Sequence, residues 1–178
     1  ALGGGLAIVV NPSLVSLEGL KKAVGQRLAG SLSIVGNESL ADISVFSELQ
    51  EVDEGFHIGE PEQVIPNAAL MSLDVFSNLT KIGGRVFISN NPNITTLDPL
   101  DNALKGEIHG SVIINANPLL TDVSAFSEVE SIVGSLVIRF NPSLADFQGF
   151  NELATIVFRL EILYMDSIIG LDGLEGLE

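Results

Sequence analysis

The sequence predicts a mainly β fold, a solenoid of about seven stacked coils of parallel strands with a short helix near the N-terminal end. Three observations carry that expectation. One pattern recurs through nearly all of the 178 residues. Each copy opens with a short segment that alternates in polarity. Apolar residues then return about every third position.

The pattern reads Gly-Ser-Leu-x-Ile-x-x-Asn-Pro-x-Leu-x-x-Ile-x-x-Phe-x-x-Leu-x-x-Ile. Copies start near Gly4, Gly30, Glu54, Gly84, Gly110, Gly134 and Phe158, in steps of 26, 24, 30, 26, 24 and 24 residues. The six additional residues of the third copy fall within Gly59 to Pro66 and predict a loop. An Asn column holds Asn11, Asn37, Asn67, Asn91, Asn117 and Asn141, and Met165 ends it. Three residues on stand Leu14, Leu40, Leu70, Ile94, Leu120, Leu144 and Ile168. The next columns run Leu17, Ile43, Leu73, Leu97, Val123, Phe147, Leu171 and Leu20, Phe46, Phe76, Leu100, Phe126, Phe150, Leu174.

Segments such as Leu32-Ser33-Ile34 and Leu136-Val137-Ile138 alternate as half-buried strands do. Spacing near three suits a chain that wraps a core with short strands and turned corners; most copies lack the i, i+3, i+4, i+7 pattern of a helix. One coil cannot cover its own apolar face, so neighbours must stack, as in a β-helix or leucine-rich-repeat-like coil. The first copy departs from this. Leu20, Val24 and Leu28 sit at helical spacing with Lys21, Lys22, Gln26 and Arg27 between them. That stretch predicts the short helix, placed to cap the N-terminal end. Gly170 to Glu178 reads as half a further coil. The apolar end it leaves requires a cap: a partner, a further domain, self-association, or more chain if 1–178 is one unit of a longer surface protein.

Asn tolerates tight turns, and its amide can bond both backbone and the Asn of the next coil, so its column reads as a structural ladder. Proline after Asn keeps it out of the α region. The Phe column reads as core stacking.

The string Gly-Ser-Leu-x-Ile-x-x-Asn with the Leu, Phe, Leu and Ile columns after it resembles the receptor L domain. That is the coil of insulin and epidermal growth factor receptor ectodomains, with analogues in fungal GPI-anchored cell-wall proteins. The resemblance covers most of Gly4 to Leu177 and is best over Gly30–Val52, Gly84–Leu100, Gly110–Ile132 and Gly134–Ile156. It implies a right-handed β-solenoid, an extracellular or cell-surface location and binding without catalysis. The chain has no Cys, so it lacks that family's disulfide caps and Cys-rich segment, and it has no kinase. An adhesion, cell-wall or matrix role transfers better than a hormone-receptor role.

Composition narrows the partners. Eight Lys plus Arg against 23 Asp plus Glu give a formal charge of −15, which opposes nucleic acid and anionic lipid surfaces. No apolar run reaches the ~20 residues of a spanning helix. No charged-then-apolar leader stands at Ala1, as expected of a mature or excised domain. Asn37-Glu38-Ser39, Asn78-Leu79-Thr80 and Asn93-Ile94-Thr95 fit the glycosylation pattern. Asn37 belongs to the ladder, which leaves Asn78 and Asn93 as the candidate sites.

Catalytic signals are sparse. His57 falls at an outward strand position and His109 beside a turn, without a triad arrangement nearby. Asp42, Asp122 and Asp146 share a column with Ser16, Ser72, Thr96 and Gly170. Two carboxylates on neighbouring coils, about 5 Å apart, could share a proton or hold a cation. Small polar side chains tying down a turn explain the column better, since its Ser and Thr rows can make the same local bonds. Glu48, Glu51, Asp53, Glu54, Glu60 and Glu62 form an acidic edge without a calcium-loop pattern. No catalytic residue, metal or cofactor is expected.

The outward strand face is the stronger candidate. Its first column reads Ala7, Ser33, His57, Phe87, Ile113, Val137, Glu161; its second Val9, Val35, Gly59, Ser89, Asn115, Arg139, Leu163; the next Val10, Gly36, Glu60, Asn90, Ala116, Phe140, Tyr164. Phe87, Ile113, Val137, Arg139, Phe140 and Tyr164 are the expected ligand contacts, in an exposed strip for a protein or glycan. The expected function is a noncatalytic recognition or adhesion module. A structural wall or matrix protein and a solenoid carbohydrate-active enzyme are the alternatives.

Overall fold

A computed structural model describes residues 2–60, 62 and 64–178. Of the predicted Gly59–Pro66 loop, Pro61 and Gln63 lie outside the described residues. The fold is mainly β, with every strand pairing parallel. Its strands are β1 (Leu6–Val9), β2 (Arg27–Leu28), β3 (Leu32–Val35), β4 (Glu51–Val52), β5 (Phe56–Ile58), β6 (Lys81–Ile82), β7 (Val86–Ser89), β8 (Lys105–Ile108), β9 (Val112–Asn115), β10 (Glu128–Ile132), β11 (Leu136–Arg139), β12 (Thr155–Ile156) and β13 (Leu160–Leu163). The odd-numbered strands form one seven-stranded sheet in chain order. The even-numbered strands form two three-stranded sheets, β2-β4-β6 and β8-β10-β12. Between these two, the turn before β8 lengthens to six residues, Asp98–Ala103, with Pro99 at its start.

Partners in the large sheet are the residues that the repeat aligns: Leu6 with Leu32, Leu32 with Phe56, Phe56 with Val86, Val86 with Val112, Val112 with Leu136, and Leu136 with Leu160. Glycines that open the repeats let successive passes approach closely. A Cβ at Gly110 would stand 2.7 Å from the Arg85 backbone nitrogen, and one at Gly134 2.5 Å from that of Ser111.

The three-residue spacing comes from successive i→i+3 turns. The Phe46 amide donates to the Ile43 carbonyl and the Leu49 amide to that of Phe46; the Phe150 and Leu153 amides repeat this on Phe147 and Phe150. Side chains at i and i+3 eclipse in such 3-10 geometry, so one apolar row faces inward. A continuous core results. Phe46 stacks on Phe76 at 5.6 Å between ring centroids, Phe126 stacks on Phe150 at 4.9 Å, and Leu100 occupies the row between the pairs.

The expected N-terminal helix is not formed. Glu18–Leu20 makes a single 3-10 turn, and Leu28 is buried in β2 opposite Val52. Residues spaced by four serve a turn followed by a strand as well as a helix. Complete burial of Leu28 favours the strand, and Arg27 ties it to the next repeat, its Nε reaching Asp53 Oδ2 at 2.9 Å. Lys81 approaches the same carboxylate from the other side. The Arg27 guanidinium in particular holds the Asp53 carboxyl below its ordinary range.

Each strand of the large sheet except β5 ends in one residue with a left-handed backbone: Val10 (φ 55°), Gly36 (66°), Asn90 (57°), Ala116 (55°), Phe140 (56°) and Tyr164 (55°). Such a residue costs roughly 1–2 kcal/mol when it carries a side chain. The third repeat turns one residue earlier, at Gly59 (φ 84°), where its loop departs. The ladder Asn follows at once and braces the turn. Nδ2 of Asn37, Asn91 and Asn141 donates to the carbonyl two residues back, at Val35, Ser89 and Arg139. It also donates to a strand carbonyl of the preceding repeat, at Ile8, Ile58 and Ile114. Oδ1 of Asn37, Asn117 and Asn141 accepts the backbone N–H of Asn11, Asn91 and Asn117, at 3.0, 3.2 and 3.0 Å. Asn67 joins by accepting from the Asn37 amide and donating to Asn91 Oδ1. Asn37, Asn67, Asn91, Asn117 and Asn141 are buried; Asn11, at the end of the row, is exposed.

Replacing Asn117 with Ala strips the Ile88 carbonyl and the Asn91 amide of their buried partner. Each such loss costs about 1–3 kcal/mol. Urea unfolding of Asn117→Ala is expected to show a loss of at least about 2 kcal/mol. The exposed Asn11→Ala should lose less than about 1 kcal/mol.

Candidate functional site

Strands β5, β7, β9 and β11 place His57, Phe87, Ile113 and Val137 side by side on the outward face. His57 and Phe87 stack with ring centroids 4.8 Å apart and planes 20° apart. The Arg85 guanidinium lies 5.7 Å from the Phe87 ring centre, a cation–π distance. Beside this row the glycine column leaves a concavity of about 670 Å³, bounded by Gly55, Gly84, Gly110 and Gly134 and closed at one end by Phe158, which is 79% exposed.

The expected apolar strip is only partly open. Phe87 and Ile113 are half-buried, but Val137 is buried at 3% exposure and is not a contact surface. Ile113 and Glu161 flank it in register. Arg139, the next outward residue, bonds Asn115 Oδ1 through Nε at 3.1 Å and pairs with Glu161 at 3.7 Å, and Arg159 holds the same carboxylate at 3.0 Å. Arg139 is thus half-buried in a polar brace beside Val137. Phe140 and Tyr164 belong to a different surface. They occupy the left-handed corner after β11 and β13, stacked on each other at 4.4 Å and 12°.

Sequence reasoning missed two features. Ser33 Oγ and His57 Nδ1 stand within hydrogen-bond reach at 3.3 Å, and His57 Nε2 is buried without a partner. Adjacent rows of one outward column were the available signal. The left-handed column was also missed, although Gly36 and Asn90, the two residue types that tolerate this backbone, stand in it. Burial pushes the His57 pKa down, Arg85 repels its proton further, and Glu60 opposes in part. A neutral imidazole stacked on Phe87 offers an apolar, polarisable contact surface.

The carboxylate column is consumed by local turns. Asp42, Asp122 and Asp146 each accept the backbone N–H two residues on, at Ser44, Ser124 and Gln148, and Ser16, Ser72 and Thr96 do the same through their hydroxyls. Ser16 Oγ also donates to Asp42 at 2.6 Å. The Ser16 and Ser44 hydrogen bonds lower the Asp42 pKa to about 2. His109 is exposed and sits 3.0 Å from Glu107. Among the described residues no three His, Asp or Glu side chains are grouped as a metal would require. Nor is any helix among them long and apolar enough to cross a membrane. Asn78 is exposed and donates to the Ser47 carbonyl, whereas the half-buried Asn93 donates to that of Ala68.

Compared with known proteins, the chain matches no family model, no curated protein and no solved structure.

Two titrations check these environments. A His pKa lowered by folding means that the unfolded chain binds the proton first, so stability falls as pH drops below about 6.5. NMR of the imidazole should give a His57 midpoint below 6.5, and His57→Gln should flatten the stability profile in that window. For Asp42 the folded pKa is depressed, so its contribution is present above about pH 4 and is lost as pH falls through about 2. Carboxyl carbon shifts should place the Asp42 midpoint near 2, and Ser16→Ala should move it toward 3.8.

Proposed function

We propose that the protein is a noncatalytic recognition or adhesion module that works outside the cell or at its surface. Its repeats would stack as a right-handed solenoid of the receptor L type and present the large sheet to a protein or glycan ligand. The observation that carries this reading is the row His57–Phe87–Ile113 with Arg85 at its side, next to a broad glycine-lined concavity. Half-buried aromatic and aliphatic side chains with one Arg are what interface centres use, and rigid strands hold them in place. The carboxylate column lends nothing to the enzyme alternative, because its oxygens serve turns.

Binding to a panel of protein ectodomains and glycans tests this reading. Phe87→Asp is expected to weaken the captured ligand at least ~10-fold, as loss of an interface anchor does. Unchanged affinity in both Phe87→Asp and Ile113→Asp would remove the strand face as the site. Val137→Asp should instead lower stability, because it buries a charge. Expression through a eukaryotic secretory route should attach glycan at the exposed Asn78, and Asn78→Gln should abolish the mass increment. Asn93, which is half-buried, should be modified less.

A further inference from the structure

The large sheet ends in two edge strands, β1 and β13, and among the described residues neither is paired on its outer side. Burial fails there within single columns. Leu136 is fully buried, whereas Leu160, one row on, is 39% exposed; Val35 is 3% exposed, whereas Val9, one row back, is 46% exposed. Among the described residues, ten of the fourteen exposed large apolar side chains fall within residues 9–15 or 157–171, so uncovered apolar surface collects at the two ends of the sheet. The first edge is also unguarded. Its sequence Leu-Ala-Ile-Val holds no charge and no Pro, the usual blocks to edge pairing.

The two edges complement each other, because each is one side of a repeat-to-repeat contact. Leu6 and Val10 donate their amides toward β3, so Ala7 and Val9, alternating with them, face away. Arg159 and Leu163 offer their carbonyls to β11, which leaves Leu160 and Ile162 facing away. The ladder is open in the matching sense. Asn11 bonds through its amide and Nδ2 as a donor, and its Oδ1 accepts nothing among the described residues. Set after Met165 of another copy, Asn11 would accept the Met165 amide and donate to the Ile162 carbonyl, as Asn141 does with Asn117 and Ile114.

Charge selects a second copy in this orientation. Residues 2–28 carry Lys21, Lys22 and Arg27 against Glu18 alone. Residues 158–178 carry Glu161, Asp166, Asp172, Glu175 and Glu178 against Arg159 alone. Lys21 follows Leu20 and Glu175 follows Leu174 in one column, so stacking sets the exposed Lys21 about 4.8 Å, one strand spacing, from the exposed Glu175 of the copy before it. Joining two like ends would instead set acid against acid or base against base. We propose that copies of this chain stack head to tail, β13 of one pairing in parallel with β1 of the next. Every contact uses the same two unlike surfaces and continues one sheet, so the series is an open-ended filament.

Sedimentation of the 178-residue chain over a concentration series tests this. The weight-average mass is expected to climb past that of a dimer without a plateau, and to climb less in high salt, which screens the end charges. Lys21→Glu and Glu175→Lys each turn one attraction between exposed groups into a repulsion. Each should weaken association at least ~3-fold with unchanged thermal unfolding, and an equimolar mixture of the two variants should restore it. Ala7→Pro removes an outward amide from the β1 edge and should weaken association at least ~10-fold. Phe87→Asp should leave assembly unchanged, which separates the sheet ends from the strand face. A monomer up to millimolar concentration, a dimer of fixed mass, or assembly indifferent to both charge reversals overturns the proposal. So does a mixture of the two charge variants that fails to restore the series.

Discussion

One amide side chain per repeat carries the register of this protein. The strands are two to five residues long, too short for their own hydrogen bonds to prevent slippage. Polarity alternates with a period of two, so alternation alone permits a two-residue shift. The Asn ladder removes that freedom. Each buried Asn donates to a strand carbonyl of the repeat before it; Asn37 and Asn141 also brace their own corner and accept the backbone amide of the preceding rung. A shift of any kind leaves several buried polar groups unpaired, and each is expensive. The leucine and phenylalanine rows supply most of the burial, but they tolerate rearrangement; the ladder does not.

That constraint separates scaffold from surface. Inward columns and the ladder are confined to a few residue types, while the outward and corner columns hold whatever the backbone admits. Variation collects there: Ala7, Ser33, His57, Phe87, Ile113, Val137 and Glu161 occupy equivalent places on one sheet. The corner column carries Val10, Gly36, Asn90, Ala116, Phe140 and Tyr164 on almost the same left-handed geometry. Bulky side chains in that conformation oppose the local backbone preference, and the ladder Asn next to them supplies the hydrogen bonds that hold it.

Much of this was legible in the sequence. Four aligned columns located the strands, the core and the ladder, because each is a periodic demand that repeats at a fixed offset. What escaped was not periodic. Leu20, Val24 and Leu28 satisfy both a helix and a turn–strand path, and the strand buries Leu28 against Val52 of the next repeat, a long-range contact that the local spacing does not show. Val137 lies on the outward face as expected, yet Arg139, Glu161 and Arg159 assemble beside it, and alternation says nothing of lateral cover. Likewise, the columns run Phe140 on from Phe87, whereas the left-handed turn carries it around the corner.

Hydrogen exchange at the ladder tests the account most directly. If the ladder sets the register, the backbone amides of Asn37, Asn91 and Asn117 should exchange as slowly as the central strand amides of Ile88 and Ile114, through global unfolding only. Exchange of those three amides at the rate of the exposed turns around Ser47 and Ser127 would contradict it.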